Sequence, residues 1–289
     1  MCRRAAEWRY IMIKVGCGTV LFREYELERS LEAIRNIGFE YFETQAVGKW
    51  CPHVNVEQDD PENLVRLKEK YGFKGITGLW SFRGSLISNP RAVESGIRTI
   101  EWAAAAGIPV VHTGDGHKPA DMSIEDAYKT LEERLGLILE AARKHNVTVA
   151  IEPHGTFSLT AEGLKKIMAM GDSSCLGINY DGCNIFRAGY VESGKDDQYK
   201  GIAKGENEVK VLESVIDRVV HCHAKDINTN QICVPVGEGV VNVKGVVETL
   251  MKNNYDGVIS VETEGGGSFE SIVGLAKKSY DYLNSIIKA

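Results

Sequence analysis

The sequence predicts a single (β/α)8 TIM barrel, classed as α/β. Three observations carry that expectation. Short β-rich runs alternate with longer segments of helical periodicity from Ile11 onward, the alternation repeats eight times, and 289 residues suit the roughly 250 that such a barrel fills as one domain. Strands and helices that alternate imply a parallel sheet with right-handed crossovers, and eight units point to closure. An open doubly wound sheet is the competing topology.

The elements follow in order. Strand one covers Ile11–Cys17, and a helix over Leu27–Asn36 stops at Gly38. Strand two is Tyr41–Gln45, and its helix Pro61–Tyr71 starts with Asp60 as N-cap and Pro61 at the first helical position. Strand three is Lys74–Leu79, followed by a helix over Pro90–Ala106 closed by Gly107. Strand four is Val110–Thr113, and the longest helix, Ser123–His145, has Ser123 as N-cap and Asp126 in its first turn. Strand five is Val147–Glu152 with the helix Thr160–Met170, and strand six is Leu176–Asp181. A long polar loop runs to about Ile202, before a helix over Asn207–Ile216. Strand seven, Val219–Lys225, is followed by Val243–Asn253; strand eight, Val258–Glu262, by Phe269–Ile287. Residues 1–10 read as an N-terminal extension to the barrel of 11–289, with Met12 as a candidate start.

Composition narrows the class of function. A net charge of −6 argues against a nucleic-acid or anionic-membrane surface, which needs a basic stripe. No apolar run reaches the ~18 residues of a membrane span. Seven widely spaced cysteines without a Cys-x-x-Cys pair fit a reducing, cytoplasmic setting better than a disulfide framework. No helix opens with Gly-x-Gly-x-x-Gly and no Walker-type loop is present, so nucleotide binding is unsupported.

In a barrel of this kind, chemistry comes from the C-terminal ends of the strands. Those ends carry Glu43 and Gln45 on strand two, His112 on strand four, Glu152 and His154 on strand five, and Asp181 on strand six. Strand seven ends in His221-Cys-His223-Ala-Lys225, and strand eight in Glu262-Thr-Glu264. Strand alternation puts His221, His223 and Lys225 on one face, and Glu262 with Glu264 on one face. Several acids buried in one mouth raise one another's pKa or recruit a cation. Three carboxylates and an imidazole make a mixed O/N set suited to Mn²⁺, Co²⁺, Mg²⁺ or Zn²⁺, with Mn²⁺ the first expectation. The assignment is Glu152, Asp181, His223 and Glu262; parity and the resemblance given next decide for Glu262 over Glu264. Each group alone has a plainer reading, as a helix cap, a core histidine or a rim charge. Their conjunction at four successive strand ends carries the assignment.

Four stretches resemble the xylose-isomerase-like barrels, which comprise sugar isomerases, epimerases, inosose dehydratases and the apurinic-endonuclease type. They are Val149-Ala-Ile-Glu-Pro-His-Gly155, Leu176-Gly-Ile-Asn-Tyr-Asp181, Val219-Val-His-Cys-His-Ala-Lys-Asp226, and Val234-Pro-Val-Gly-Glu-Gly239 leading to Asp256-Gly-Val-Ile-Ser-Val-Glu262. The resemblance implies one divalent ion held by Glu152, Asp181, His223 and Glu262, with the second histidine of His-x-His as ligand. Asn184 stands where ketose epimerases carry a histidine, and Thr156–Ser158 stand where they carry another glutamate, which counts against plain ketose 3-epimerisation.

The implied chemistry is removal of a proton beside a sugar carbonyl through an enediolate, as in an isomerase or epimerase. His154, Glu152 or Glu262 moves the proton, and His112, His221, Lys225, Trp80 and Glu43 are candidate substrate contacts. The runner-up is a lyase of the same fold, either an inosose dehydratase or the barrel subunit of a C-glycoside deglycosidase acting on 3-keto glycosides. An apurinic-endonuclease-type phosphodiesterase is remote, because that chemistry wants several zinc ions and a basic groove. The expected partners are a small sugar or glycoside, and either further copies of this chain or a small partner subunit. Specificity rests with the loops Trp50–Asp60, Ser81–Ser88 and Arg187–Gly201.

Overall fold

Eight short strands close on themselves in the computed structural model, which describes residues 13–81, 86–192, 205–264 and 266–288. They are β1 (Lys14–Gly18), β2 (Tyr41–Gln45), β3 (Gly75–Trp80), β4 (Val110–Thr113), β5 (Thr148–Ile151), β6 (Leu176–Asp181), β7 (Val219–Ala224) and β8 (Val258–Val261). Neighbours pair in parallel in chain order, and β8 pairs with β1 to close the barrel. The closed topology is the expected one; the open sheet is excluded.

Helices cover the outside with the spacing their sequences predict. Ile124–His145 buries Ala127, Leu131, Leu135, Ile138, Leu139 and Ala142, an apolar stripe of helical period. Side-chain caps start the helices: Asp60, Ser123, Thr160, Asn207, Asn242 and Ser268 each accept a backbone N–H of the first turn, worth ~1 kcal/mol apiece. The main core lies between the strands and this helical layer, and its members run from Ile13 to Leu283.

Three expectations need correction. Of the first expected strand, Ile11 and Met12 lie outside the described residues, and β1 starts at Lys14. The extension 1–10 also lies outside them. The polar stretch after β6 opens with two short helices, Gly182–Phe186 and Ala188–Glu192, because the Asp181 carboxylate accepts the Asn184 N–H at 2.9 Å and nucleates a turn. Residues 193–204, the rest of that stretch, lie outside the described residues. Past β7, Asp226–Ile227 pairs antiparallel with Cys233–Val234 in a hairpin too short for periodicity to reveal. Asp226 organises it: its carboxylate accepts N–H groups of Gly237, Gly239 and Val241 at 2.9–3.1 Å.

Register decides which side chains meet inside. A shift between Ile178 and Asn179 brings Asn179 level with His221, and Asp181 level with His223. Without that shift, the inward residues of β6 and β7 would be out of step. On β3, Gly78 leaves room for a ring: a Cβ there would stand 2.5 Å from His112 Nε2.

Candidate metal centre

The barrel interior carries polar side chains where branched apolar residues are usual. Glu152, Asp181, His223 and Glu262 meet at the C-terminal mouth, and each offers a ligand atom within 4.8 Å of the others. All four are buried, between 0% and 4% exposed. Asp181 and His223 are register neighbours on β6 and β7. Glu152 and Glu262 stand one residue past β5 and β8, where their N–H groups extend the ladder to Thr113 and Ala224 oxygens at 2.8 and 3.1 Å. These backbone bonds keep both carboxylates in strand geometry and aimed inward.

The set fits a divalent cation on the chemistry of its donors. Three carboxylates converge on one imidazole, and the buried Asp181 Oδ2 and Glu262 Oε2 meet no neutral donor, only the Lys225 ammonium. Uncompensated carboxylate oxygens in a buried site cost several kcal/mol unless a cation or proton meets them. The Lys225 ammonium approaches both, at 2.9 Å from Asp181 Oδ2 and in direct contact with Glu262, and stands 3.6 Å from Glu264. Lys225 and His223 face more carboxylates than the two can balance, Glu43, Glu152, Asp181, Glu262 and Glu264, and the hard oxygens with one nitrogen match Mn²⁺, Mg²⁺, Co²⁺ or Zn²⁺.

Electrostatics follow from burial and neighbours. Burial pushes the Glu152 carboxyl up to about 7, with His223 opposing and Glu262 adding to the rise. Asp181 stays below the usual range: burial would raise it, but Lys225, His223 and the Asn184 N–H outweigh that. His223 is pushed up despite burial, because Glu43, Glu262 and Glu152 surround it. Burial, then neighbouring imidazoles, holds His112 down, and burial brings His221 to about 4.

Two side chains that the sequence brought into view without a role support the site. Asn184 donates Nδ2–H to Glu152 Oε1 at 3.0 Å, while its Oδ1 accepts from Arg187 Nε and Nη2 at 3.4 and 3.2 Å. Gln45 donates to Glu262 Oε1 at 3.3 Å. The signal for Asn184 was its position three residues beyond Asp181, one helical turn on.

The remaining candidates divide by depth. Trp80 and His154 sit at the rim, half-buried, with ring centroids 5.9 Å apart in an edge-on pair. Lys225 reaches into the carboxylate cluster. Glu43, His112 and His221 lie inside the barrel, at most 1% exposed, and His221 precedes His223 by two residues along β7. Asn179 joins them: it is 3.0 Å from His221 Nδ1 and 3.2 Å from His112 Nδ1.

Below the rim, Asp115 locks the loops after β4 and β5. Its carboxylate accepts the N–H groups of Thr156, Phe157 and Ser158 at 3.1, 2.6 and 3.4 Å. Gly116 and Gly155 pair alongside.

Comparison with known proteins agrees with this architecture. An inosose dehydratase of Clostridium tetani is 28% identical over 160 residues, 48% of each chain, so the alignment spans about half the length of that relative. A crystal structure of a D-tagatose 3-epimerase-like protein superposes with a TM-score of 0.74 at 22% identity, over 96% of this chain and 98% of that one. A 3-keto-D-glucoside 4-epimerase from E. coli superposes at 0.73 and 16% identity, over 94% and 99%. The family model for the xylose isomerase-like TIM barrel matches residues 31–286. The chain is therefore a member of the xylose isomerase-like TIM barrel family.

Proposed function

We propose that the chain is a divalent-metal-dependent sugar isomerase or epimerase that removes a proton beside a carbonyl. The observation that carries this reading is the convergence of Glu152, Asp181, His223 and Glu262 ligand atoms within 4.8 Å at the barrel mouth. A cation bound there supplies positive charge that makes the C–H next to a carbonyl acidic.

The protein's own groups do the rest. Glu152 and Glu262, both ionised when they hold the cation, are the carboxylates placed to accept that proton. His154 is the alternative proton carrier, placed at the rim beside Trp80. Trp80 presents an aromatic wall on which a sugar ring packs by its C–H face. Lys225, fixed among Asp181, Glu262 and Glu264, presents positive charge to a substrate oxygen on which negative charge develops. Asn184 and Gln45 hold the two glutamates in place and leave their remaining oxygens for the cation.

A second reading has a specific observation behind it. Elimination from the same enediolate gives a lyase, and the similarity to inosose dehydratases, together with Asn184 in place of a histidine, favours it. The small-molecule partner in either case is a sugar, inosose or glycoside. Cytoplasmic location and assembly with further copies or a small partner subunit complete the proposal.

The test is exchange chemistry. The protein loaded with Mn²⁺ is incubated in D₂O with ketoses, inososes and 3-keto glucosides, and C–H exchange is followed by NMR. Exchange without elimination supports the isomerase or epimerase; release of water or aglycone moves the assignment to the lyase. Absence of both on all three classes overturns the reading. His154→Ala with full exchange would assign the proton to Glu152 or Glu262.

A further inference from the structure

Beneath the mouth lies a second polar group, of which the proposed reaction uses His223 alone: Glu43, His112, His221 and His223, with ligand atoms again within 4.8 Å of one another. His223 belongs to both groups. Its Nδ1 faces the mouth, 3.4 Å from Glu152 Oε1 and 3.6 Å from Glu262 Oε2. Its Nε2 faces the interior, 2.9 Å from Glu43 Oε1. Asn179 stands 3.0–3.3 Å from nitrogens of all three imidazoles, whereas Glu43 comes closest to His223 and is farther from His221 Nε2, at 3.4 Å, and from His112 Nδ1, at 3.8 Å. Glycine makes room for the Glu43 carboxylate from two strands: a Cβ at Gly18 would stand 3.0 Å from Oε1, and one at Gly78 would stand 3.4 Å from Oε2.

We propose that Glu43 is a positioning residue for the cation: it accepts the Nε2–H of His223, fixes that tautomer, and so presents Nδ1 to the mouth. The inference rests on the metal-centre reading above and deepens it. A carboxylate behind a ligand imidazole holds the ring orientation and raises its basicity, and loss of such a partner typically costs 10–100-fold in metal affinity. Glu43 thus acts through His223 and not by touching substrate. The burial of its carboxyl, at 1% exposure below the ligand, is what distinguishes it from a rim contact.

The experiment combines calorimetry with NMR. Wild type, Glu43→Ala and Glu43→Gln are titrated with Mn²⁺, and the Zn²⁺-loaded, ¹⁵N-histidine-labelled proteins are examined by long-range ¹H–¹⁵N correlation. The expected result is one Mn²⁺ per chain, about 10–100-fold weaker binding in Glu43→Ala, and recovery of most of the affinity in Glu43→Gln, whose amide oxygen still accepts. The wild-type spectrum shows His223 protonated at Nε2 and metal-bound at Nδ1. Thermal melts confirm that the near-isosteric Gln variant is folded. Unchanged affinity in both variants overturns the inference while leaving the metal centre intact. Two ions per chain, one of them lost in Glu43→Ala, overturn it in favour of a second cation among Glu43, His112 and His221. A raised KM for sugar with unchanged Mn²⁺ affinity would make Glu43 a substrate contact instead. Failure of the wild type to bind any divalent ion overturns the metal centre as well.

Discussion

Replacement of Asn184 by alanine tests how the mouth is held together. The substitution spares the backbone N–H bond to Asp181, so the helix start at Gly182 survives. It removes the donor to Glu152 Oε1 and the acceptor for Arg187. Arg187 is only 2% exposed, so its guanidinium loses a charge-assisted bond in a place water scarcely reaches. Such a loss costs ~1.5–3 kcal/mol. In a chain of this size the melting temperature should fall by about 5 °C. On the metal side, freeing Glu152 from its orienting partner should weaken Mn²⁺ binding ~10–100-fold. Asn184→Asp separates the two roles. It restores an acceptor for Arg187, yet sets a carboxylate against Glu152 where an amide donor stood, so stability recovers more than Mn²⁺ affinity. Calorimetric titration with Mn²⁺ and thermal melts in EDTA measure both. Mn²⁺ affinity equal to wild type in Asn184→Ala, with stability lowered, would refute the supporting role and leave Asn184 as a prop for Arg187 alone.

Three further outcomes follow from the geometry. Asp181→Asn and Glu262→Gln each remove one anionic donor from the set of four, and each should weaken Mn²⁺ binding beyond the ~100-fold upper range of an outer-shell loss, read by the same titration. In the metal-free protein Glu152 has a pKa near 7 against an ordinary 4.5, so its contribution to stability is complete below about 4.5 and is lost as pH rises through 7. Cation binding needs Glu152 ionised and the His223 ring neutral, so Mn²⁺ affinity should rise by about tenfold or more per pH unit from pH 5.5 to 7, with proton release detectable in buffers of different ionisation enthalpy. A pH-independent affinity over that range would contradict the environment described for Glu152. Gly155→Ala puts a Cβ 2.2 Å from Asp115 Oδ1 and 2.5 Å from the Gly116 nitrogen, so the loop clamp must open. The melting temperature should drop by several degrees, and an unchanged melt would show that the clamp yields without cost.

Most of the barrel was legible in the sequence because its elements are long enough to show a period. Tyr41–Gln45, Val110–Thr113, Leu176–Asp181 and Phe269–Ile287 have the bounds expected, and Asp60 and Ser123 cap the helices they were expected to cap. Alternation of side chains along β7, position at the strand ends and the family resemblance, which chose Glu262 over Glu264 and His223 over His221, gathered Glu152, Asp181, His223 and Glu262. What stayed hidden depends on register and depth. Nothing local says that β6 shifts at Asn179, that Gly78 yields its space to His112, or that Glu43 sits under a histidine from a strand 180 residues later in the chain. The helices after Asp181 were hidden for a different reason. Each spans only five residues, too few to show a helical period, and a side-chain cap starts the first of them.

All four proposed ligands come from β5 through β8 or the residue just past them, four consecutive staves on one arc of the closed sheet. The facing arc, β1 through β4, gives the rim Trp80 and the loop around Trp50, and gives the interior Glu43 and His112. On the proposed reading, loop grafts around Trp50 and Trp80 would redirect which carbohydrate enters, while the first arc's strand β2 must keep Glu43 and Gln45, which stand behind His223 and Glu262.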